Sequence, residues 1–152
     1  MTLALTLVLA AAPAGAEELH SYALVQDDCS LKIKGKTVYL DGIYLPPTER
    51  QCLSEMRPVR CAGRAVLALE FRIHGFVHCF VRSVNEDGSQ TATCYVDRSH
   101  FDEGEDLSAY LISKGWAVAL PDAPFEYQAL ERIAREHGVG VWGFPADVIR
   151  RP

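Results

Sequence analysis

The side chains of this 152-residue chain that could do chemistry are five histidines, five cysteines, one acidic loop and one lysine cluster. The histidines (20, 74, 78, 100 and 137) follow no metal-ligand spacing. His74 and His78 are four apart, but Gly75 interrupts any helix they could share, so both are assigned to surface or strand positions. Asp97, Asp102, Glu103, Glu105 and Asp106 form an acidic loop that could hold a weak extracellular-type Ca²⁺. Its spacing fits no calcium-loop signature, and a solvated cap ahead of a helix at Leu107 is the better reading. Lys32, Lys34 and Lys36 are the densest basic cluster. Residues two apart on a strand share a face, so all three would point one way, as a solvated face in preference to a phosphate-binding stripe. No Ser-His-Asp order, phosphate loop or dinucleotide fingerprint is present.

These groups need a scaffold, and the hydrophobic pattern supplies one. Tyr22 to Val25, Ser30 to Ile33 and Thr37 to Ile43 read as strands, with Gly35 and Lys36 in a tight turn. Cys61 to His74 reads as a helix with Ala65, Val66, Leu69, Phe71 and Ile73 as its apolar positions, ended by Gly75. Phe76 to Val84 and Thr91 to Val96 form a hairpin around Asn85-Glu86-Asp87-Gly88. A short helix runs from Leu107 to Lys114 and stops at Gly115. Asp122 is the candidate cap of a last helix over Phe125 to His137, with Leu130, Ile133 and Ala134 on one face. Trp142 would pack back on the core. Three strands, a helix, two strands and further helices are compatible with a small antiparallel barrel.

Residues 1–16 have the form of a secretory signal: an apolar run from Leu3 to Ala12, then the small-x-small site Ala14-Gly15-Ala16. The run is too short for a stable membrane anchor. The expected mature chain, 17–152, is one domain, exported to a periplasmic or extracellular compartment. Its formal charge of -5, from 20 acidic and 15 basic side chains, disfavours long-range attraction to a polyanion such as nucleic acid.

Export admits disulfides. Cys79 and Cys94 lie equally far from the centre of the hairpin turn, so folding the hairpin sets them opposite one another. Cys52 and Cys61 flank a short segment containing Pro58 and could close a small loop before the first helix. Cys29 stands outside both predicted bridges, as a buried apolar residue in preference to a reactive thiol.

The segment Val38-Tyr39-Leu40-Asp41-Gly42-Ile43-Tyr44-Leu45-Pro46-Pro47 resembles the active-site strand and turn of staphylococcal-nuclease-like (thermonuclease) domains. The resemblance continues through Cys61-Ala62-Gly63, Ala92-Thr93-Cys94, Asp106-Leu107-Ser108, Gly115-Trp116-Ala117-Val118-Ala119, Glu131-Arg132-Ile133-Ala134-Arg135 and Gly140-Val141-Trp142. It implies an α+β, mainly β fold: a five-stranded antiparallel OB-fold barrel with about three helices.

The resemblance also argues against the usual activity. Phosphodiester hydrolysis needs an activated water and stabilised charge, which the family supplies with Ca²⁺, two arginines and a glutamate. The arginine positions fall on Tyr39 and Ser89, the base on Pro47 and one metal-binding Asp on Tyr44. The metal-binding turn reads Asp27-Asp28-Cys29, with either Asp28 or Cys29 at the family's ligand position. A thiol would serve Ca²⁺ poorly. Glu49 and Arg50 lie just past Pro47 and Arg82 on the following hairpin, and all three are read as exposed charges in preference to substitutes. Losing one preorganised contact costs roughly two to three decades in rate. The expectation is therefore no catalytic residue, no metal and no cofactor. Tyr39, Tyr44, Leu45 and Ser89 would line an aromatic and apolar cleft that takes a periplasmic protein, a peptide or a glycan. The competing readings are a Ca²⁺-dependent nuclease with a rearranged site and a nucleic-acid binder that does not cleave.

Overall fold

The computed structural model describes residues 17–46, 53–54, 57–58 and 61–143. In chain order the elements are β1 (Glu18–Val25), β2 (Leu31–Ile33), β3 (Lys36–Leu40), β4 (Ile43–Tyr44), β5 (Leu53–Ser54), β6 (Arg57–Pro58), α1 (Cys61–Arg72), β7 (Phe76–Val84), β8 (Gln90–Val96), β9 (Glu105–Asp106), α2 (Leu107–Ser113), β10 (Val118–Ala119), α3 (Phe125–Glu136) and a terminal 3₁₀ turn (Gly140–Gly143). The expected leader (1–16), Pro47, Glu49, Arg50 and the side chains of the proposed Cys52–Cys61 bridge lie outside the described residues.

Five strands close into a barrel. β1 pairs with β2 on one side and β7 on the other, β2 with β3 and β7 with β8, all antiparallel. The closing pair, β3 with β8, is parallel, with Tyr39 opposite Thr91. The barrel is therefore mixed, where the sequence led us to expect an antiparallel one. The reason is topological: α1 intervenes between β3 and β7, so the chain re-enters the sheet by a crossover, and the β7–β8 hairpin then leaves β8 running with β3. The fold is α+β, mainly sheet, in an OB-like barrel with three helices.

Alternation fills the interior. Leu31, Ile33, Val38, Val77, Cys79, Ala92 and Cys94 point inward, and Leu69 of α1 with Leu107, Leu111 and Ile112 of α2 plug the barrel. Cys79 and Cys94 occupy one register position and are bridged, with their Cα atoms 4.0 Å apart, as the hairpin arithmetic predicts.

Several local expectations shift. The β2–β3 turn is Lys34–Gly35, both at positive φ (49° and 82°), the pattern of a two-residue hairpin. Lys34 is thereby in the turn and Lys36 begins β3 beside Glu17, so the three lysines do not share one strand face. Phe71 is 73% exposed, because the buried stripe of α1 runs through Ala65 and Leu69. On α3 the buried residues are Tyr127, Glu131 and Ala134, while Ile133 faces outward. Asp122 does not cap this helix: its N-cap is Pro124, without a side-chain hydrogen bond. Asp106 does cap α2, accepting from the amides of Ser108 (2.8 Å) and Ala109 (3.4 Å).

Candidate functional site

Two turns and one strand build the rim on which the sequence-predicted site residues fall. In the β1–β2 turn, Asp28 Oδ1 accepts from the amide (3.0 Å) and the hydroxyl (2.6 Å) of Ser30. In the β7–β8 turn, Asp87 Oδ1 accepts from the amide (2.9 Å) and the hydroxyl (2.6 Å) of Ser89. Both are Asp-x-Ser turns whose middle residue has positive φ, Cys29 at 64° and Gly88 at 82°. The repeated Asp-x-Ser spacing was legible in the sequence and went unused there.

This device decides which of two adjacent residues faces the rim. Cys29 is 4% exposed and belongs to the core cluster. Burial, with the Asp28 charge beside it, pushes its thiol up to about 12, so it stays protonated and is no ligand for a hard cation. Asp28 is exposed and lies against Tyr39, whose hydroxyl is 3.5 Å from Asp28 Oδ2, at the outer limit of a hydrogen bond. Burial raises the Asp28 carboxyl, but the Ser30 hydroxyl and amide outweigh it and hold the group below the usual carboxylate range.

The parallel register of β3 with β8 carries Tyr39 toward the second turn. The Asp28 charge, then desolvation, then the Asp87 charge raise the Tyr39 phenol. Tyr39 thus stands as a neutral, 38% exposed ring beside Asp28 and within electrostatic reach of Asp87. Ser89 is only 6% exposed, and its hydroxyl is engaged within the turn, donating to Asp87 and accepting from Asn85 Nδ2 (2.9 Å). It sits beneath the rim and supports the turn. Tyr44 is half-buried on β4, opposite Val118, and Leu45 packs against the core. Asp27 is exposed in the first turn.

A phosphate would need cations here. Arg72 pairs with Asp97 and Glu105, Arg82 donates to Thr93 (3.1 Å), Arg98 lies over Phe80 and Arg135 pairs with Glu131. Nor does the donor set suit Ca²⁺, which takes six to eight oxygen ligands. One oxygen each of Asp28 and Asp87 is committed to its own turn, Cys29 points inward and Tyr44 lies on β4 opposite Val118 with no carboxylate to offer. Among the described residues, no group of three or more His, Cys, Asp or Glu gathers around a metal-sized space.

A concavity of about 480 Å³ lies away from the rim, between the acidic loop and α2 and α3, lined in part by Tyr95, Glu103, Glu105, Tyr110 and Glu126. Its deepest carboxylate, Asp106, is occupied as the cap of α2 and as acceptor from the Tyr127 hydroxyl. Desolvation raises the Asp106 carboxyl against the lowering effect of those bonds, and desolvation followed by Asp106 itself raises the Tyr127 phenol. This arrangement is structural: it pins α3 to the start of α2.

No protein-family model matches the chain. It is similar to the succinoglycan biosynthesis protein ExoI of Rhizobium meliloti (strain 1021), with 27% identity over 131 residues. The aligned part is 84% of this chain and 66% of the relative, so the chain spans just under two thirds of that protein's length.

Proposed function

We propose that this chain is an exported, non-catalytic barrel module of the staphylococcal-nuclease-like type, whose rim binds an uncharged glycan segment in the assembly of a cell-envelope polysaccharide. The observation that carries the reading is the Asp28–Tyr39–Asp87 rim. A nuclease site concentrates positive charge on a phosphate. Here an exposed aromatic ring lies against the Asp28 carboxylate and feels the Asp87 charge; these carboxylates repel a phosphate and offer hydrogen-bond acceptors to hydroxyl groups. The Cys79–Cys94 bridge is compatible with an oxidising compartment, and among the described residues no helix is long and apolar enough to cross a membrane. The similarity to a succinoglycan biosynthesis protein supports a polysaccharide setting.

Two measurements test this. Single-stranded DNA and RNA are incubated with the purified protein in Ca²⁺ or in EDTA, and no chelator-sensitive cleavage is expected. Neutral oligosaccharides from the host envelope are then titrated against the labelled protein by NMR. Shifts are expected at Tyr39 and in the 27–30 and 85–89 turns, and Tyr39→Ala should abolish them. Calcium-dependent cleavage that survives purification would restore the nuclease reading. Binding of single strands that weakens with salt would instead make the module a nucleic-acid binder.

A further inference from the structure

We propose that His20 and His78, paired across β1 and β7 on the outside of the barrel, form a two-imidazole binding site for a transition-metal ion of the copper(II), nickel(II) and zinc(II) class. The site is separate from the rim and does not rest on the function proposed for it.

The two residues are far apart in sequence and directly opposite in the sheet. Directly opposed side chains on an antiparallel pair share one face and approach closely. Here the imidazoles stack with centroids 3.6 Å apart and planes 27° apart. Two nitrogens bound to one tetrahedral Zn²⁺ at its usual bond length of about 2.0–2.1 Å lie roughly 3.3 Å apart. In the stacked arrangement the in-plane lone pairs run side by side; rotation of the two side chains about their χ angles turns them to converge on one ion, a reach that direct opposition on paired strands allows.

The surroundings fix which nitrogen is available. Glu18 Oε1 lies 3.3 Å from Nδ1 of His78. A carboxylate only accepts, so this contact places the proton of a neutral His78 on Nδ1 and leaves the Nε2 lone pair open. A carboxylate on the far nitrogen is the outer-shell arrangement that orients metal-bound histidines and raises their basicity. Phe76 stands edge-on to His20, with centroids 5.0 Å apart, and Tyr22 in turn packs on Phe76 at 4.4 Å, so one side of the pair is walled. His20 is exposed and His78 half-buried, which leaves the other side open to an ion and its waters.

Imidazole donors suit the borderline ions and not Ca²⁺ or Mg²⁺. Two protein ligands leave the remaining positions to water, so the site is an exchangeable surface chelate and not a closed structural centre. The bond balance is simple: two nitrogen lone pairs displace two metal-bound waters, and no electron is transferred.

The test uses the full mature chain. Cu²⁺, Ni²⁺ and Zn²⁺ are titrated by calorimetry, and the histidine ring resonances are followed by NMR. One ion per chain should bind at this site, tightest for Cu²⁺, with the rings of His20 and His78 broadened first by Cu²⁺ or Ni²⁺. His20→Ala or His78→Ala should weaken binding at least tenfold. His20→Phe, which keeps a stacked ring but no donor, should do the same without unfolding the strand pair. Glu18→Gln should weaken it by about tenfold through orientation of His78. Ca²⁺ should leave both rings unchanged. The proposal is overturned if His20→Phe and His78→Ala bind as the wild type does, or if other histidines or the N-terminal amine respond first.

Discussion

Opening the Cys79–Cys94 bridge tests the barrel at its most constrained point. The bridge closes a loop with a sequence separation of 15. Loop-closure entropy for that length is about 3 kcal/mol at 25 °C. For a chain of this size each kcal/mol moves the melting temperature by about 2–4 °C, so reduction should lower it by roughly 6–12 °C. Both sulfurs are fully buried. Cys79→Ala/Cys94→Ala therefore also loses two methylene-sized groups, roughly 0.8 kcal/mol each, and should melt below the reduced protein. The melts are followed by circular dichroism in a Cys52→Ala/Cys61→Ala background, with and without reductant, so that the hairpin bridge is the one opened. A melting temperature that stays within about 2 °C on reduction would show that the hairpin is held by register and packing alone, and would refute the loop-entropy argument. Peptide mapping that joined Cys79 to a different cysteine would refute the register itself.

Gly42 has φ of +74°, and a Cβ there would lie 2.9 Å from the Tyr127 ring, which Asp106 holds in place; Gly42→Ala should cost about 1–3 kcal/mol in denaturant melts. Asp28 and Asp87 have folded carboxyl values below their unfolded ones: Ser30 overcomes burial at Asp28, and the Ser89 hydroxyl leads at Asp87. Their contribution is thus present above the unfolded value and lost as pH falls through the folded one, and Asp28→Ala/Asp87→Ala should flatten the acid limb of a stability–pH curve. Asp106 has the opposite sign, because burial leads and raises it: its charged form costs stability as pH rises past the unfolded value. Asp106→Asn keeps an acceptor for the α2 amides and should be neutral or mildly stabilising at pH 7 by chemical denaturation, whereas Asp106→Ala should cost about 0.5–2 kcal/mol through the lost cap.

Much of the scaffold was legible because its signals are local. Runs of β-branched and aromatic residues marked the barrel strands, Asp87-Gly88 marked the long hairpin, and equal distance from that turn paired Cys79 with Cys94. The acidic loop ahead of Leu107 read as a cap for α2, and Asp106 is the residue that supplies it. Each depends on a few neighbouring residues and the period of one element. Helix faces were less secure. The apolar positions of α1 and α3 recur at helical spacing, yet Phe71 and Ile133 face solvent, because periodicity gives a stripe and packing against neighbours chooses which one is buried.

The remaining features needed the tertiary structure. Parallel closure of β3 on β8 follows from the α1 crossover, and no local signal states which edges will meet. That closure brings Tyr39 under the influence of both Asp28 and Asp87, although the latter lies in a distant turn. The choice between Asp28 and Cys29 as the rim residue was made by one positive φ, which turns the thiol into the core and leaves the carboxylate outside. His20 and His78 followed no ligand spacing in the sequence, because the pairing that stacks them is a register between strands formed by residues on either side of β2, β3 and α1. Spacing along the chain reports contacts within a turn of helix or a hairpin, and contacts across a closed barrel are set only when its edges join.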